Sequence, residues 1–75
     1  MEAGKVYRVN AYAVSRACSF RGANRRYVEQ HGYLWVCERR QPDQDEDDPV
    51  IFYNCRSVAT STTLSWTDEE MEEAG

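Results

Sequence analysis

The chain has one histidine, His31, followed by Gly32, and three cysteines, Cys18, Cys37 and Cys55. Three thiolates and an imidazole are the number and kind of donors that a tetrahedral zinc takes, so these four residues are the one set that could hold a metal if they converged. Their separations of 13, 6 and 18 residues match no common zinc spacing. The expectation is therefore no metal and no cofactor, with reduced thiols packing as small hydrophobes. An odd cysteine count without close pairs speaks against a disulfide framework, and the lack of Cys-x-x-Cys against a redox dithiol. His31 reads as a turn residue facing water, whereas a general base must be held within reach of the proton it takes. There is no nucleophile elbow and no phosphate-binding glycine loop. The expectation is a protein with no catalytic residues, not an enzyme.

The charged residues carry more information. The net charge of −4 conceals a split. Residues 1–40 hold eight basic residues against three acidic ones, a net +5; residues 41–75 hold Arg56 against ten acids, a net −9. The acids form two runs: Asp43, Asp45, Glu46, Asp47 and Asp48, then Asp68, Glu69, Glu70, Glu72 and Glu73. Such runs repel themselves and stay solvated. If they lie together they make a negative surface that can occupy a basic groove, as phosphates would. Eight of the nine basic residues are arginines, whose planar fork suits defined contacts to carboxylates, phosphates or aromatic rings.

Size limits what can position these groups. A chain of 75 residues makes one domain that buries about 60% of its extended surface, so the core is thin and a deep substrate cavity is hard to enclose. Nine aromatics give such a core much burial per residue, with some left for the surface. The start of the chain shows no signal peptide and no stretch is long enough to span a membrane; the expected setting is cytoplasmic, that of the host cell if the protein is phage-encoded.

The expected fold class is mainly β (α+β): a small antiparallel sheet or open barrel of four to five strands with a short C-terminal helix. Residues 5–15 read as a strand with Tyr7, Val9, Ala11 and Ala13 on one face. Residues 19–25 read as a loop and 26–30 as a short strand. Residues 33–39, apolar at every position from Tyr33 to Cys37, read as the heart of the sheet, of the kind covered on both faces. An acidic loop at 41–49 leads to a strand at 50–55, and the threonine-rich stretch 57–66 is a weaker strand. Thr67 and Glu70 fit a capping box opening an acidic helix or tail over 67–75.

The function expected from these features is protein binding. The model is a small acidic inhibitor that blocks a basic, nucleic-acid-binding surface of its partner. Phage-encoded inhibitors of host defence, anti-CRISPR proteins among them, offer an analogy of size and charge only, since no family motif is matched. The expected contact residues are Asp43, Asp45, Glu46, Asp47, Asp48, Tyr53, Trp66, Asp68 and Glu69, the surface using one acidic cluster and one exposed aromatic, for which Tyr53 and Trp66 are the candidates. The alternative is a small RNA- or DNA-binding β-domain that uses Arg8, Tyr12, Arg25, Arg26 and Tyr27 to hold phosphates and stack bases. An unpaired edge strand would also leave a homodimer open.

Overall fold

A computed structural model describes residues 1–15, 20–42, 44, 47 and 49–74. Five strands, β1 (Val6–Val9), β2 (Leu34–Arg40), β3 (Phe52–Ser57), β4 (Thr63–Thr67) and β5 (Met71–Glu73), form one antiparallel sheet in the order β4-β3-β2-β1-β5. One helix, α1 (Ala23–His31), joins β1 to β2. The residues expected to form the heart of the sheet do so: β2 is the middle strand. A register shift between Cys37 and Arg39 puts a bulge in it.

Sheet alternation sorts the side chains. Tyr7, Val9, Trp35, Cys37, Cys55, Ser57, Trp66 and Met71 share one face and are buried there with Ala13 and with Val28 of the helix. Trp35 and Trp66 meet edge to face at 5.4 Å, and Tyr27 of α1 meets Trp66 in the same way at 6.4 Å. The opposite face carries Val6, Arg8, Leu34, Val36, Asn54 and Arg56, and none of the described elements covers it. Full cover on both sides of β2 is thus corrected: Leu34 is 39% exposed while its neighbour Trp35 is 0%.

The sheet curls. Three residues, Asp68–Glu70, link β4 at one edge to β5 at the other. They reach at most about 14 Å from Thr67 to Met71, whereas the edges of a flat five-stranded sheet are roughly 19 Å apart. The short link therefore requires the sheet to curve about the core.

Three sequence expectations are corrected by identifiable interactions. First, the strand expected over 5–15 stops at Val9, because Asn10 accepts the Ala13 N–H on Oδ1 at 2.9 Å and donates from Nδ2 to the Glu69 carbonyl at 2.8 Å, turning the chain. Ala13 is still buried, but in this turn, and Ala11 is exposed. Second, the residues expected as a loop and short strand, 19–30, contain a 3-10 turn at Phe20–Gly22 and then α1. The stretch is rich in helix formers, and Asn24, Tyr27, Val28 and His31 recur at i, i+3, i+4 and i+7, the period of a one-sided helix. Asn24 donates to the Ala13 carbonyl and to Glu70 Oε2, Tyr27 reaches Trp66, Val28 is buried and His31 stacks edge-on against Trp35. Gly32, at φ 84°, ends the helix by donating its N–H to the Val28 carbonyl, a left-handed position that favours glycine.

Third, the described C-terminal residues form no α-helix. The capping box at Thr67 and Glu70 does form: Glu70 Oε1 accepts both the N–H and the hydroxyl of Thr67, at 2.9 and 3.0 Å. It caps a single 3-10 turn, after which Met71–Glu73 extend as β5. A short helix is marginal alone, and the strand buries Met71 opposite Val9 while pairing the backbone with β1.

Candidate functional site: the acidic end of the sheet

Antiparallel pairing decides where the acids go. Residues 41–51 connect the end of β2 to the start of β3, and Phe52, at that start, pairs with Thr67, the last residue of β4. The loop that carries the first acidic run therefore leaves and re-enters the sheet beside Asp68, where the second run begins. Residues 49–51 line one shallow depression with Thr67, Asp68 and Glu69. Among the described acids here, Asp47, Asp68 and Glu69 are exposed. Asp43, Asp45, Glu46 and Asp48 lie outside the described residues.

Local bonds hold this end in shape. The Gln44 side chain donates to the carbonyls of Gln41 and Phe52 at 2.8 and 2.9 Å, and its Oε1 accepts the Phe52 N–H. Asp68 accepts from the N-terminal ammonium of Met1 at 2.6 Å. Tyr53 is half-buried next to this end; burial, and then the Asp68 carboxylate, raise its phenol above the ordinary value of 10.0. Trp66 is placed otherwise than expected: at 1% exposure it belongs to the core and offers no surface. Its buried Nε1 has no hydrogen-bond partner among the described residues. Aromatic residues whose rings do reach the surface include Tyr12 and Tyr33.

The residues of the nucleic-acid alternative do not share a surface. Arg8 stands on the uncovered face of the sheet, Tyr12 in the turn after β1, and Arg25, Arg26 and Tyr27 on the helix that covers the other face. Sequence reading missed a basic group that register does assemble: Arg8, Arg39 and Arg56 project from the uncovered face around Val6, Leu34 and Val36. The period-two pattern of β1, β2 and β3 held the signal, but only their pairing brings the three arginines together.

Among the described residues the possible metal donors are His31, Cys37 and Cys55. Cys37 and Cys55 face each other across β2 and β3, both buried, and the Cys55 thiol donates to the Tyr53 carbonyl at 3.7 Å. His31 lies at the end of α1, its Nδ1 2.8 Å from Thr60 Oγ1. Among the described residues no three His, Cys, Asp or Glu side chains gather as a metal site; Cys18 lies outside them. Burial, then the charge that Cys37 would carry, push the Cys55 thiol up to about 12, and burial raises Cys37 as well. Such thiols are poor nucleophiles. Ser57, the one buried polar residue among those described, donates to the His31 carbonyl at 2.5 Å and accepts the N–H groups of Ala59 and Thr60; its hydroxyl is used in fastening the helix end to the β3–β4 turn. Among the described residues no helix is long and apolar enough to cross a membrane. No protein-family model, curated protein or solved structure matches this chain.

Proposed function

We propose that this protein is a non-enzymatic binding module whose acidic end occupies a basic surface of a protein partner, in the manner of small acidic inhibitors that block nucleic-acid-binding enzymes, phage-encoded inhibitors of host defence being one such class. The observation that supports this reading is the pairing of Phe52 with Thr67, which sets the foot of the loop carrying the first acidic run beside Asp68, where the second run begins. A concentrated negative patch at this end would steer association with a positive one. The contacts fall to Asp43, Asp45, Glu46, Asp47, Asp48, Asp68 and Glu69, with Tyr53 at the margin. The total surface is 5136 Å², so a standard footprint of about 800 Å² covers this end and its flanks. RNA or DNA binding ranks second, because its residues are spread over two sides of the molecule.

The test is affinity capture from a lysate at low and high salt, with and without nuclease, using the natural chain and a variant with Asp43, Asp45, Asp47 and Asp48 all changed to Asn. A partner that survives nuclease, is lost at high salt and binds the variant at least about ten-fold more weakly supports the reading. Equal binding by the variant removes the acidic surface from it, and loss of all partners on nuclease treatment transfers the function to nucleic acid.

A further inference from the structure

The two edges of the sheet differ. Strand β5 is three residues long, and two of them are Glu72 and Glu73, the latter 3.4 Å from Lys5 Nζ. Short, charged edges resist pairing with another chain. Strand β4 is Thr-Leu-Ser-Trp-Thr, with no charge and no proline, and among the described residues β3 is its only strand neighbour. Its sequence carries neither the charge nor the proline that commonly protects an edge.

The hydrogen-bond parity of β4 shows which groups are free. The Ser57 N–H donates to the Thr62 carbonyl at 2.8 Å, so this pair bonds inward. Antiparallel pairs alternate, so Leu64 and Trp66 also bond inward to β3, and Thr63, Ser65 and Thr67 turn their backbone groups outward. The Thr67 N–H already meets Glu70 Oε1. This leaves the N–H and carbonyl of Thr63 and Ser65 and the carbonyl of Thr67 facing away from the sheet.

We propose that β4 pairs antiparallel with β4 of a second copy of this chain, about a two-fold axis at Ser65, joining two sheets into one of ten strands. The sequence is nearly its own mirror about that residue. Ser65 meets Ser65 of the partner, Thr63 meets the partner's Thr67, and Leu64 meets the partner's Trp66. Cross-strand threonine pairs and apolar pairs are both favourable. Four backbone bonds form without disturbing the Glu70 cap: Ser65 exchanges two with its counterpart, and each Thr63 N–H donates to a Thr67 carbonyl. Charge selects the direction. Antiparallel pairing sets Asp68 opposite the partner's Thr62 and Glu69 opposite its Ser61, and sends the two acidic ends to opposite ends of the joint sheet. Parallel pairing would place the acidic ends side by side, a cost in a chain of net charge −4. The inference does not depend on the binding role proposed above, and its salt response is opposite: salt screens repulsion between two acidic copies and leaves the backbone bonds intact.

Sedimentation equilibrium of the full chain from micromolar to millimolar concentration tests it. The mass should climb from 8.7 kDa toward twice that value, with no weakening in high salt. Ser65→Lys and Ser65→Glu, each alone, set like charges against each other on the axis and should hold the mass at one chain; an equal mixture of the two should restore the doubled mass. Amide exchange on the unmodified chain provides a readout free of mutation: the Thr63 and Ser65 N–H groups should gain about ten-fold or more protection over the same concentration range. One-chain mass and unchanged exchange at millimolar concentration overturn the proposal. So does a dimer that persists in each variant alone, or a mixture that fails to restore it.

Discussion

Leu34 and Trp35 are neighbours on the central strand, yet one is 39% exposed and the other fully enclosed. The difference comes from the rest of the chain. Helix α1 and the Asp68–Glu70 link close over the face that holds Trp35, bringing Val28, Tyr27 and the second tryptophan against it, while the face that holds Leu34 receives no described element. The same five strands thus present a dense aromatic and thiol core on one side and a mixed arginine and aliphatic surface on the other. A domain this small has material for one core layer, and its stability should reside almost wholly on one side of the sheet.

The largest expected effect tests that division. Trp35→Ala removes the ring that touches Trp66 and His31 and the Nε1 bond to the Gly32 carbonyl at 3.1 Å. A loss of about 3–5 kcal/mol is expected, and a protein of this size has little more than that to lose. Chemical denaturation followed by tryptophan fluorescence from Trp66 should show a transition that begins without denaturant. A loss below about 1 kcal/mol would mean that this face is not the core.

Strands β2 and β3 rest on patterns legible along the chain; the helix and the order of the strands do not. The residues of β2 and β3 are apolar in runs bounded by turn residues, and both strands lie close to where their composition puts them. The region around Arg26, Tyr27 and Val28 misleads because a window of five residues cannot separate a period of 2 from a period of 3.6; the helical stripe appears only when Asn24 and His31 are included. At the C-terminus the capping box is a true local signal. Its continuation is set by tertiary contact, since Met71 gains a buried place opposite Val9 as strand that it would lack on a free helix. The acidic end was half legible. The two runs are visible in the sequence, but their meeting depends on the β3–β4 register, and Trp66 was misjudged because an edge strand gives no sequence sign of which face a second structural layer will cover.

A smaller effect distinguishes the two faces by pH. On the covered face the Cys55 thiol is pushed up to about 12 from an ordinary 9.0, first by burial. The unfolded chain releases this proton near the ordinary value and the folded chain keeps it. The stability tied to the thiol is therefore complete below pH 9 and is lost as pH rises from 9 toward 12. The loss is on the order of 1 kcal/mol by pH 10. Denaturation midpoints of the natural chain and of Cys55→Ala, measured from pH 8 to 10, should converge as pH rises. Parallel curves would mean that the thiol ionises equally in both states and that this face is open to water.

The smallest expected effect is the counterpart of the first. Leu34→Ala shortens a side chain that lies beside Val6 and Arg8 on the uncovered face and already meets water over much of its surface. Partial exposure lessens both the transfer energy lost and the cavity left behind, and the cost should stay below about 1 kcal/mol, several-fold less than at the adjacent Trp35. Urea denaturation of the purified variant reads this directly. A loss of 2 kcal/mol or more would require another layer on that side of the sheet in solution, and should then depend on protein concentration if the layer is supplied by a second molecule. A small loss that does not vary with concentration places self-association at the β4 edge rather than on this face.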